Sequence, residues 1–321
     1  MILCSLIHYL VYILHFLFSS YSLVIVLSTL FTENNARCYP KDRNGDLIMT
    51  MPRDLLFIRH GESEANIVQK RDDHGVDPDV AGSIFARPDW QQRLTVKGIE
   101  QAKTAKEYID RELDGLASFD ARYVSPFMRT RETAAYVGGE DVEGWTIDDR
   151  IVERSWGVYG KMPRAEQRAQ FPLTAAEKLA NPWYIRLDGG ESMPDVYARF
   201  RDFQATLHRE QADQRVVVVS HGDFINAARY GIERMTPEEW EALDEDKEYT
   251  IRNCTLLHYT RVNPDDPEDV RDKLRWRRYI YPDTVSESPD GGQWVELSER
   301  RRYSGAELLE QADKAPRLLS E

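Results

Sequence analysis

The chain is poor in cysteine, with only three among 321 residues. Cys4, Cys38 and Cys254 are too few for a disulfide framework, and their spacing matches no zinc-binding motif. We therefore expect a reducing compartment and no structural metal. The chain also has no excess of positive charge. It contains 42 Lys and Arg and 55 Asp and Glu, which gives a net charge of −13. This acidic balance argues against nucleic acid as a partner, and any anion-binding site has to concentrate positive charge locally.

Charged residues are absent from the N-terminus, because residues 1–31 contain no Lys, Arg, Asp or Glu. This apolar stretch is long enough to cross a bilayer as a helix, and it lacks the charged start of a secretory signal. Two hypotheses follow. The stretch is a genuine membrane anchor, or the translation start has been placed too early and the protein begins at Met49 or Met51.

The most informative part of the chain runs from Asp54 to Asn66. Its apolar residues predict a short buried strand that ends at Arg59, His60 and Gly61, before a helix start. Ligands of open α/β sheets bind at the carboxyl ends of strands, and the backbone N–H groups of a following helix favour anions. A histidine nucleophile beside an arginine is suited to accept a phosphoryl group.

Three more stretches complete the pattern. A second apolar strand, residues 216–220, ends at His221 and Gly222 before another predicted helix. Arg129 follows a third strand end and lies about one turn into a helix, where it can face an anion. Glu153 is a carboxylate in a loop-like stretch. Two His-Gly strand ends, an arginine near a helix start and an isolated acid together predict a phosphoryl-transfer site.

Residues 53–259 resemble the histidine phosphatase superfamily, in its phosphoglycerate-mutase-like branch. Its motifs are matched at four places: Arg59-His60-Gly61-Glu62 with Asn66, Leu94-Thr-Val-Lys-Gly98-Ile-Glu-Gln101-Ala, Ser125-Pro-Phe-Met-Arg129, and Ser220-His221-Gly222. The resemblance implies an α/β fold in three layers, with helices on both faces of a mostly parallel central sheet. Apolar stripes in two predicted helices, Ile99 to Leu113 and Val196 to Leu207, agree with such layers.

The resemblance also implies a role for each site residue: nucleophile, His60; proton donor and acceptor, Glu153; catalytic and phosphate-binding, His221; phosphate-binding, Arg59, Asn66 and Arg129. The chemistry is consistent with these roles, because phosphoryl transfer depends mainly on positioning and charge stabilisation. Guanidinium groups can grip phosphate oxygens, and nearby cations help to keep a histidine neutral and nucleophilic. Neither a metal nor a cofactor is required, since arginines and histidines supply the positive charge.

Some of these residues have structural alternatives. Arg129 stands next to Arg131, and either of them can belong to a solvated helix face. Asn66 can be an ordinary helix residue. Five other acids lie close to Glu153, at positions 140, 141, 143, 148 and 149, but Trp156-Gly157 follows Glu153 as an aromatic-Gly pair does in the family.

The expected activity is phosphomonoester hydrolysis through a phosphohistidine, on a phosphorylated small molecule or a phosphoprotein. Phosphoglycerate mutases carry Glu-Arg-His-Tyr-Gly and a later Arg-Arg pair that hold the substrate carboxylate. Here Glu153-Arg-Ser-Trp-Gly157 keeps Arg154 but replaces the His-Tyr pair, and no Arg-Arg pair follows it in the predicted cap. A phosphoglycerate-type mutase is the second hypothesis, and a non-catalytic, membrane-tethered regulatory protein is the third.

The chain is divided into an apolar segment 1–48, a histidine phosphatase domain 49–282 and a C-terminal extension 283–321. We expect a cytoplasmic catalytic domain, anchored to a membrane if the apolar segment is genuine. Two stretches are expected to border the site and carry specificity: a functional loop in residues 69–93 and a helical cap in residues 161–188. No pattern in the sequence defines the substrate or the oligomeric state.

Overall fold

The computed structural model describes residues 50–72, 78–140, 142–162, 164–315 and 317–319. The predicted apolar segment 1–48 and the alternative start Met49 lie outside the described residues, so the anchor remains a prediction. Among the helices of the described ranges, none is long and apolar enough to cross a membrane.

The centre of the fold is a mixed seven-stranded sheet in the order β3-β2-β4-β1-β5-β8-β9, and β6 and β7 form a separate hairpin. The strands are β1 (Asp54–Arg59), β2 (Ala121–Val124), β3 (Trp145–Ile147), β4 (Arg215–Ser220), β5 (Leu256–Thr260), β6 (Val262–Asn263), β7 (Asp266–Val270), β8 (Trp276–Ile280) and β9 (Val295–Glu296). Strands β3, β2, β4 and β1 are parallel neighbours, whereas β5, β8 and β9 pair antiparallel. The carboxyl ends of the four parallel strands therefore lie on the same side of the sheet.

Helices flank this sheet. They are α1 (Glu64–Asp72), α2 (Pro78–Ala86), α3 (Val96–Glu112), α4 (Met128–Gly138), α5 (Arg164–Gln170), α6 (Pro172–Ala180), α7 (Met193–Glu210), α8 (Gly222–Ile232), α9 (Pro237–Glu245) and α10 (Gly305–Ala312). The longest, α7, begins with a capping box in which Ser192 and Asp195 satisfy each other's backbone N–H groups.

Strand β1 shows why the fold has three layers. Its side chains alternate between the two faces of the sheet, as the period of a strand requires. Leu55 and Phe57 belong to a core cluster with α7 and α8. Leu56 and Ile58 belong to a second cluster with α3 and α4, on the opposite face. The predicted α/β fold with helices on both faces of the sheet is confirmed.

The predicted apolar stripes are the faces that these helices bury. On α7, all four stripe positions from Val196 to Leu207 are buried. On α3, Ala102, Ala105 and Ile109 are buried, and Ile99 at the start is partly exposed. Helical periodicity in the sequence therefore identified the two packing faces correctly.

A close contact between two glycines positions the loop after β1. A Cβ on Gly61 would lie 2.4 Å from the carbonyl oxygen of Gly98, and a Cβ on Gly98 would lie 2.1 Å from that of Glu62. Thr95 caps α3 by accepting a hydrogen bond from Gly98 N, and Gln101 Oε1 accepts one from Glu62 N at 2.8 Å. The two sequence motifs thus form one structural unit that holds the start of the site.

The segment 69–93 differs from the predicted loop. Helix α1 extends into it as far as Asp72, and α2 occupies Pro78–Ala86. Residues 73–77 between these helices lie outside the described part of the chain. The expectation of a loop was wrong because residues 78–86 form a helix, and the proline at which α2 begins favours a helix start. In the segment 161–188, α5 and α6 agree with the predicted helical character.

Candidate active site

His60 and His221 meet because their strands are parallel neighbours in register. Arg59 at the end of β1 pairs with Ser220 at the end of β4. The residue after each strand end is a histidine, and the backbone N–H of His60 donates to Ser220 O at 3.0 Å. The two imidazole rings lie 5.2 Å apart, centre to centre. The structure thus brings both predicted histidines to the carboxyl edge of the sheet.

The ring of His60 is held in one orientation. Its Nδ1 lies 2.7 Å from the carbonyl oxygen of Gly61, which can only accept a hydrogen bond. Nδ1 therefore carries the proton and Nε2 carries the lone pair. Burial and the charges of Arg129 and Arg59 hold the pKa of His60 well below its usual value. These surroundings favour the neutral imidazole, in which Nε2 keeps its lone pair.

Arg59 lies beside His60 with part of its donor capacity unused. Its Nη1 donates to Ile251 O, whereas its buried Nε makes no hydrogen bond to any described residue. Gly222 packs over this guanidinium, and a Cβ there would lie 3.6 Å from Nε and 4.0 Å from Glu153 Oε2. A buried donor without a partner at a strand end suits an anionic ligand.

His221 also has one buried nitrogen without a hydrogen bond in the described structure, its Nδ1. Its Nε2 lies 2.8 Å from Ser125 Oγ, at the end of β2. The ring of Phe127 packs edge-on against the imidazole at 5.0 Å. Burial, followed by the charge of Arg129, keeps the pKa of His221 well below its usual value. A neutral His221 with Nδ1–H can donate to a phosphate oxygen.

Arg129 lies in the first turn of α4, and its side chain is only 4% exposed. Both terminal nitrogens bind Asp89: Nη1 lies 3.0 Å from Oδ1, and Nη2 lies 3.3 Å from Oδ2. The guanidinium also stacks over Phe127 at 4.8 Å. The same Phe127 ring packs against His221, which places Arg129 next to the site. The charge of Arg129 also helps to lower the pKa values of His60 and His221.

Glu153 lies in the loop after β3, two residues beyond a short helical turn at Asp149–Ile151. Ser220 Oγ donates to Ile151 O at 2.7 Å and ties that turn to the end of β4. Glu153 Oε1 accepts hydrogen bonds from the backbone N–H groups of Arg154 at 2.9 Å and Asp223 at 3.1 Å. Burial and the nearby charge of Asp223 raise the pKa of Glu153 to about 7. Such a carboxyl group can both donate and accept a proton near neutral pH.

Asn66 is oriented by three donors. Its Oδ1 accepts hydrogen bonds from Ser63 N at 3.1 Å, Ser63 Oγ at 3.2 Å and Asn253 Nδ2 at 3.1 Å. Asn253 Nδ2 also donates to His60 O at 3.0 Å. With its carbonyl oxygen engaged, the Nδ2 group of Asn66 is the part available to donate to a ligand.

The structure brings the six predicted site residues to one region, and it adds residues that sequence reasoning missed: Asp89, Asp223 and Asn253. Asp223 had a local signal, since it follows the His221-Gly222 pair directly. Asn253 had none, because it enters the site from the loop before the antiparallel strand β5. Asp89 comes from the segment expected to border the site, without a motif of its own.

The geometry agrees with the comparison of the whole chain with known families. Residues 55–261 match the family model described as histidine phosphatase superfamily (branch 1). The chain belongs to this superfamily, and the expected phosphatase class of enzyme is confirmed.

Individual relatives include phosphatases and mutases. The chain is 30% identical over 167 residues to phosphoserine phosphatase 1 of Hydrogenobacter thermophilus, covering 52% of this chain and 70% of that protein. It is 29% identical over 194 residues to the 2,3-bisphosphoglycerate-dependent phosphoglycerate mutase of Azorhizobium caulinodans, covering 59% and 85%. The crystal structure of a putative alpha-ribazole-5'-P phosphatase from Escherichia coli matches with a TM-score of 0.52 at 20% identity, covering 70% and 96%. This last likeness concerns the fold alone.

Proposed function

We propose that this protein is a metal-independent phosphomonoester hydrolase that works through a phosphohistidine on His60. The observation that carries the proposal is the orientation of His60, whose Nδ1 donates to Gly61 O and whose Nε2 keeps its lone pair. Around it lie Arg59 Nε and His221 Nδ1, two buried nitrogens that have no hydrogen-bond partner in the described part of the chain and are suited to phosphate oxygens. A single site therefore combines a neutral nucleophile with preorganised positive groups.

In the first step, Nε2 of His60 attacks the phosphorus, and the ester P–O bond breaks. Arg59, Arg129, Asn66 and His221 donate to the non-bridging oxygens and stabilise their charge. Glu153, protonated because its pKa is raised to about 7, gives its proton to the departing alkoxide oxygen. The products of this step are an alcohol and a phosphoryl group on His60.

In the second step, Glu153 is a carboxylate and accepts a proton from water. The resulting hydroxide attacks the phosphorus, the P–N bond breaks, and the electron pair returns to Nε2 of His60. Inorganic phosphate leaves and Glu153 is protonated again, so the cycle is closed. One residue acting as acid and then as base needs a pKa close to the working pH.

The surroundings of Glu153 favour hydrolysis over the mutase reaction. In this chain the His-Tyr pair of the mutase motif is replaced, and the Arg154 that remains is 5% exposed. Its guanidinium donates to Glu191 O at 2.8 Å and Ile185 O at 3.0 Å, and stacks on Trp156. These contacts occupy Arg154 with the protein's own backbone. The Asp223 carboxylate beside Glu153 adds repulsion toward a substrate carboxylate.

The mutase remains the second candidate, because several relatives are named as phosphoglycerate mutases. Incubation with 3-phosphoglycerate and a trace of 2,3-bisphosphoglycerate separates the two activities. The hydrolase releases inorganic phosphate, whereas a mutase forms 2-phosphoglycerate without net release. To find the substrate of the hydrolase, a panel of small phosphorylated molecules is tested first. Phosphoserine is included because one relative is named phosphoserine phosphatase 1. A phosphopeptide in the same panel addresses the phosphoprotein alternative.

The direct test is hydrolysis of an aryl phosphate by the full chain, with and without a chelator, beside His60→Ala. The proposal expects turnover that survives the chelator and disappears in the variant. Loss of activity with the chelator would contradict metal independence. Equal activity of His60→Ala would contradict the phosphohistidine route.

A further inference from the structure

Residues 87–94, which we call the strap, connect α2 to α3 alongside the site. Arg87 Nη1 donates to Glu64 Oε2 on α1 at 2.7 Å. At the other end, Arg93 pairs with Glu132 on α4, and Leu94 N donates to Glu132 Oε2 at 2.8 Å. The strap is therefore attached to two helices that border the site.

The central contact of the strap is made by Asp89 and reaches the predicted phosphate-binding Arg129. Besides the two carboxylate contacts, Arg129 Nη1 donates to the backbone oxygen of Asp89 at 2.8 Å. The Asp89 side chain is 55% exposed, whereas that of Arg129 is 4% exposed. The buried cation is thus held by an anion that stays in contact with water.

The contact leaves one edge of the guanidinium for a ligand. Arg129 has five N–H donors in a fixed plane. Asp89 takes both hydrogens of Nη1 and one of Nη2, and Nε makes no hydrogen bond to another residue in the described ranges. The edge from Nε to Nη2 can therefore bind two phosphate oxygens side by side, in the geometry that arginine prefers.

We propose that Asp89 is a positioning residue, which fixes the guanidinium of Arg129 so that its Nε–Nη2 edge faces the phosphoryl group attacked by His60. This inference rests on the proposed function only in that Arg129 binds phosphate. Asp89 itself contacts neither the substrate nor the reacting atoms. No residue motif pointed to it, and its contribution comes entirely through the contact with Arg129.

The opposite role for Asp89 would be that of an internal anion that competes with phosphate for Arg129. Two features favour positioning. The Asp89 carboxylate binds the end of the guanidinium formed by Nη1 and Nη2, and so leaves the Nε–Nη2 edge open to a phosphate. The exposed carboxylate is also screened by water, so its repulsion of a phosphate is weak compared with the ordering of a long, flexible side chain.

The test uses the full chain and two probes, inorganic phosphate and orthovanadate, with their dissociation constants measured by calorimetry. We expect Asp89→Ala to bind phosphate about tenfold more weakly and to raise the KM for an aryl phosphate by a similar factor. Asp89→Asn keeps one acceptor oxygen and loses less. The matched control is Glu132→Gln, which also removes a negative charge between the strap and α4 but does not touch Arg129. It should change phosphate binding less than about twofold.

A double-mutant cycle separates positioning from a general effect on the fold. In an Arg129→Ala background, Asp89→Ala should cause no further loss of phosphate binding. Tighter phosphate binding by Asp89→Ala, or the same loss with and without Arg129, would overturn the proposal. Phosphate binding that depends on Asp89 in a protein without hydrolytic activity would support this inference and contradict the hydrolase. A wild-type protein that binds no phosphate would contradict both.

Discussion

His221 Nε2 lies 2.8 Å from Ser125 Oγ, and this contact joins the carboxyl ends of β4 and β2. The other ring nitrogen, Nδ1, is buried and has no hydrogen-bond partner among the described residues. If the serine hydroxyl donates to Nε2, the proton of the neutral ring lies on Nδ1. Ser125 thereby selects the tautomer of His221 that can donate to a phosphate oxygen.

Removing the hydroxyl removes this selection. We predict that Ser125→Ala lowers kcat by about tenfold, which is less than the roughly 100- to 1,000-fold cost of deleting a preorganised donor, because the His221 ring itself remains. The variant should unfold close to the wild-type temperature, because a serine replaced by alanine leaves a small change in volume. Measurement of kcat together with thermal unfolding checks this, and an unchanged kcat would show that the tautomer is set elsewhere.

The activity should depend on the protonation of Glu153. Its pKa is raised to about 7, so the carboxyl keeps its proton up to neutral pH and loses it above. For an alkyl phosphate, whose leaving group needs that proton, kcat/KM should fall as the pH rises through about 7, because kcat/KM reports the protonation of the free enzyme. The low pKa of His60 has a second consequence, because the nucleophile then stays neutral into the acid range. A pH–rate profile checks both expectations, the loss of activity above about pH 7 from Glu153 and the activity that His60 retains at acid pH.

Glu153→Gln provides the matching variant. It should slow an alkyl phosphate by at least about 100-fold, in line with the contribution of a general acid. Formation of the phosphoenzyme from nitrophenyl phosphate should be much less affected, because this leaving group departs without a proton. Equal losses for the two substrates in a single-turnover experiment would mean that Glu153 is not the acid.

Asn253 should matter although it does not face the phosphate directly. Its Nδ2 donates to His60 O and to Asn66 Oδ1. We predict that Asn253→Ala lowers kcat/KM about tenfold, because both of these hydrogen bonds are lost and the amide of Asn66 can rotate. In an Asn66→Ala background the effect of Asn253→Ala should shrink, and kinetics of the four proteins measure this coupling. Full additivity would place the two residues in separate roles.

Much of the fold could be predicted from local patterns. The strand that ends at His60 and the one that ends at His221 are continuous apolar runs, and the stripe from Val196 to Leu207 has the period of a helix. The helix α2 was missed because residues 69–93 contain prolines and charges that are typical of a loop. Local composition was a poor guide there, since α2 is only nine residues long and is too short to show a clear helical period.

Some residues of the site could be predicted from local sequence patterns and others could not. Residues at the ends of parallel strands, such as His60 and His221, could be predicted because the sheet brings those ends together. Asp89 and Asn253 could not, because their contacts join parts of the chain that are distant in sequence and carry no periodic signal. The elevated pKa of Glu153 also depends on its three-dimensional surroundings, chiefly its burial beside Asp223.

The contact between the two motif glycines gives a prediction about stability. In Gly98→Ala the new Cβ would lie 2.1 Å from Glu62 O, so the backbone has to shift. We expect the free energy of unfolding to fall by about 1–3 kcal/mol, as overpacking usually causes. Gly82→Ala in α2 is the control, since no atom lies within 4 Å of its added Cβ. That variant should be neutral or more stable by up to about 1 kcal/mol, and urea unfolding of both proteins compares them.

The covalent step on His60 can be observed by trapping the phosphoenzyme. The full chain is mixed with a labelled aryl phosphate, quenched in alkali within a turnover, digested and mapped by mass spectrometry. The account predicts one phosphoryl group on the peptide that contains His60, stable to alkali and labile to acid, and absent from His60→Ala. Active protein that carries no such group, or carries it on another residue, would contradict the account.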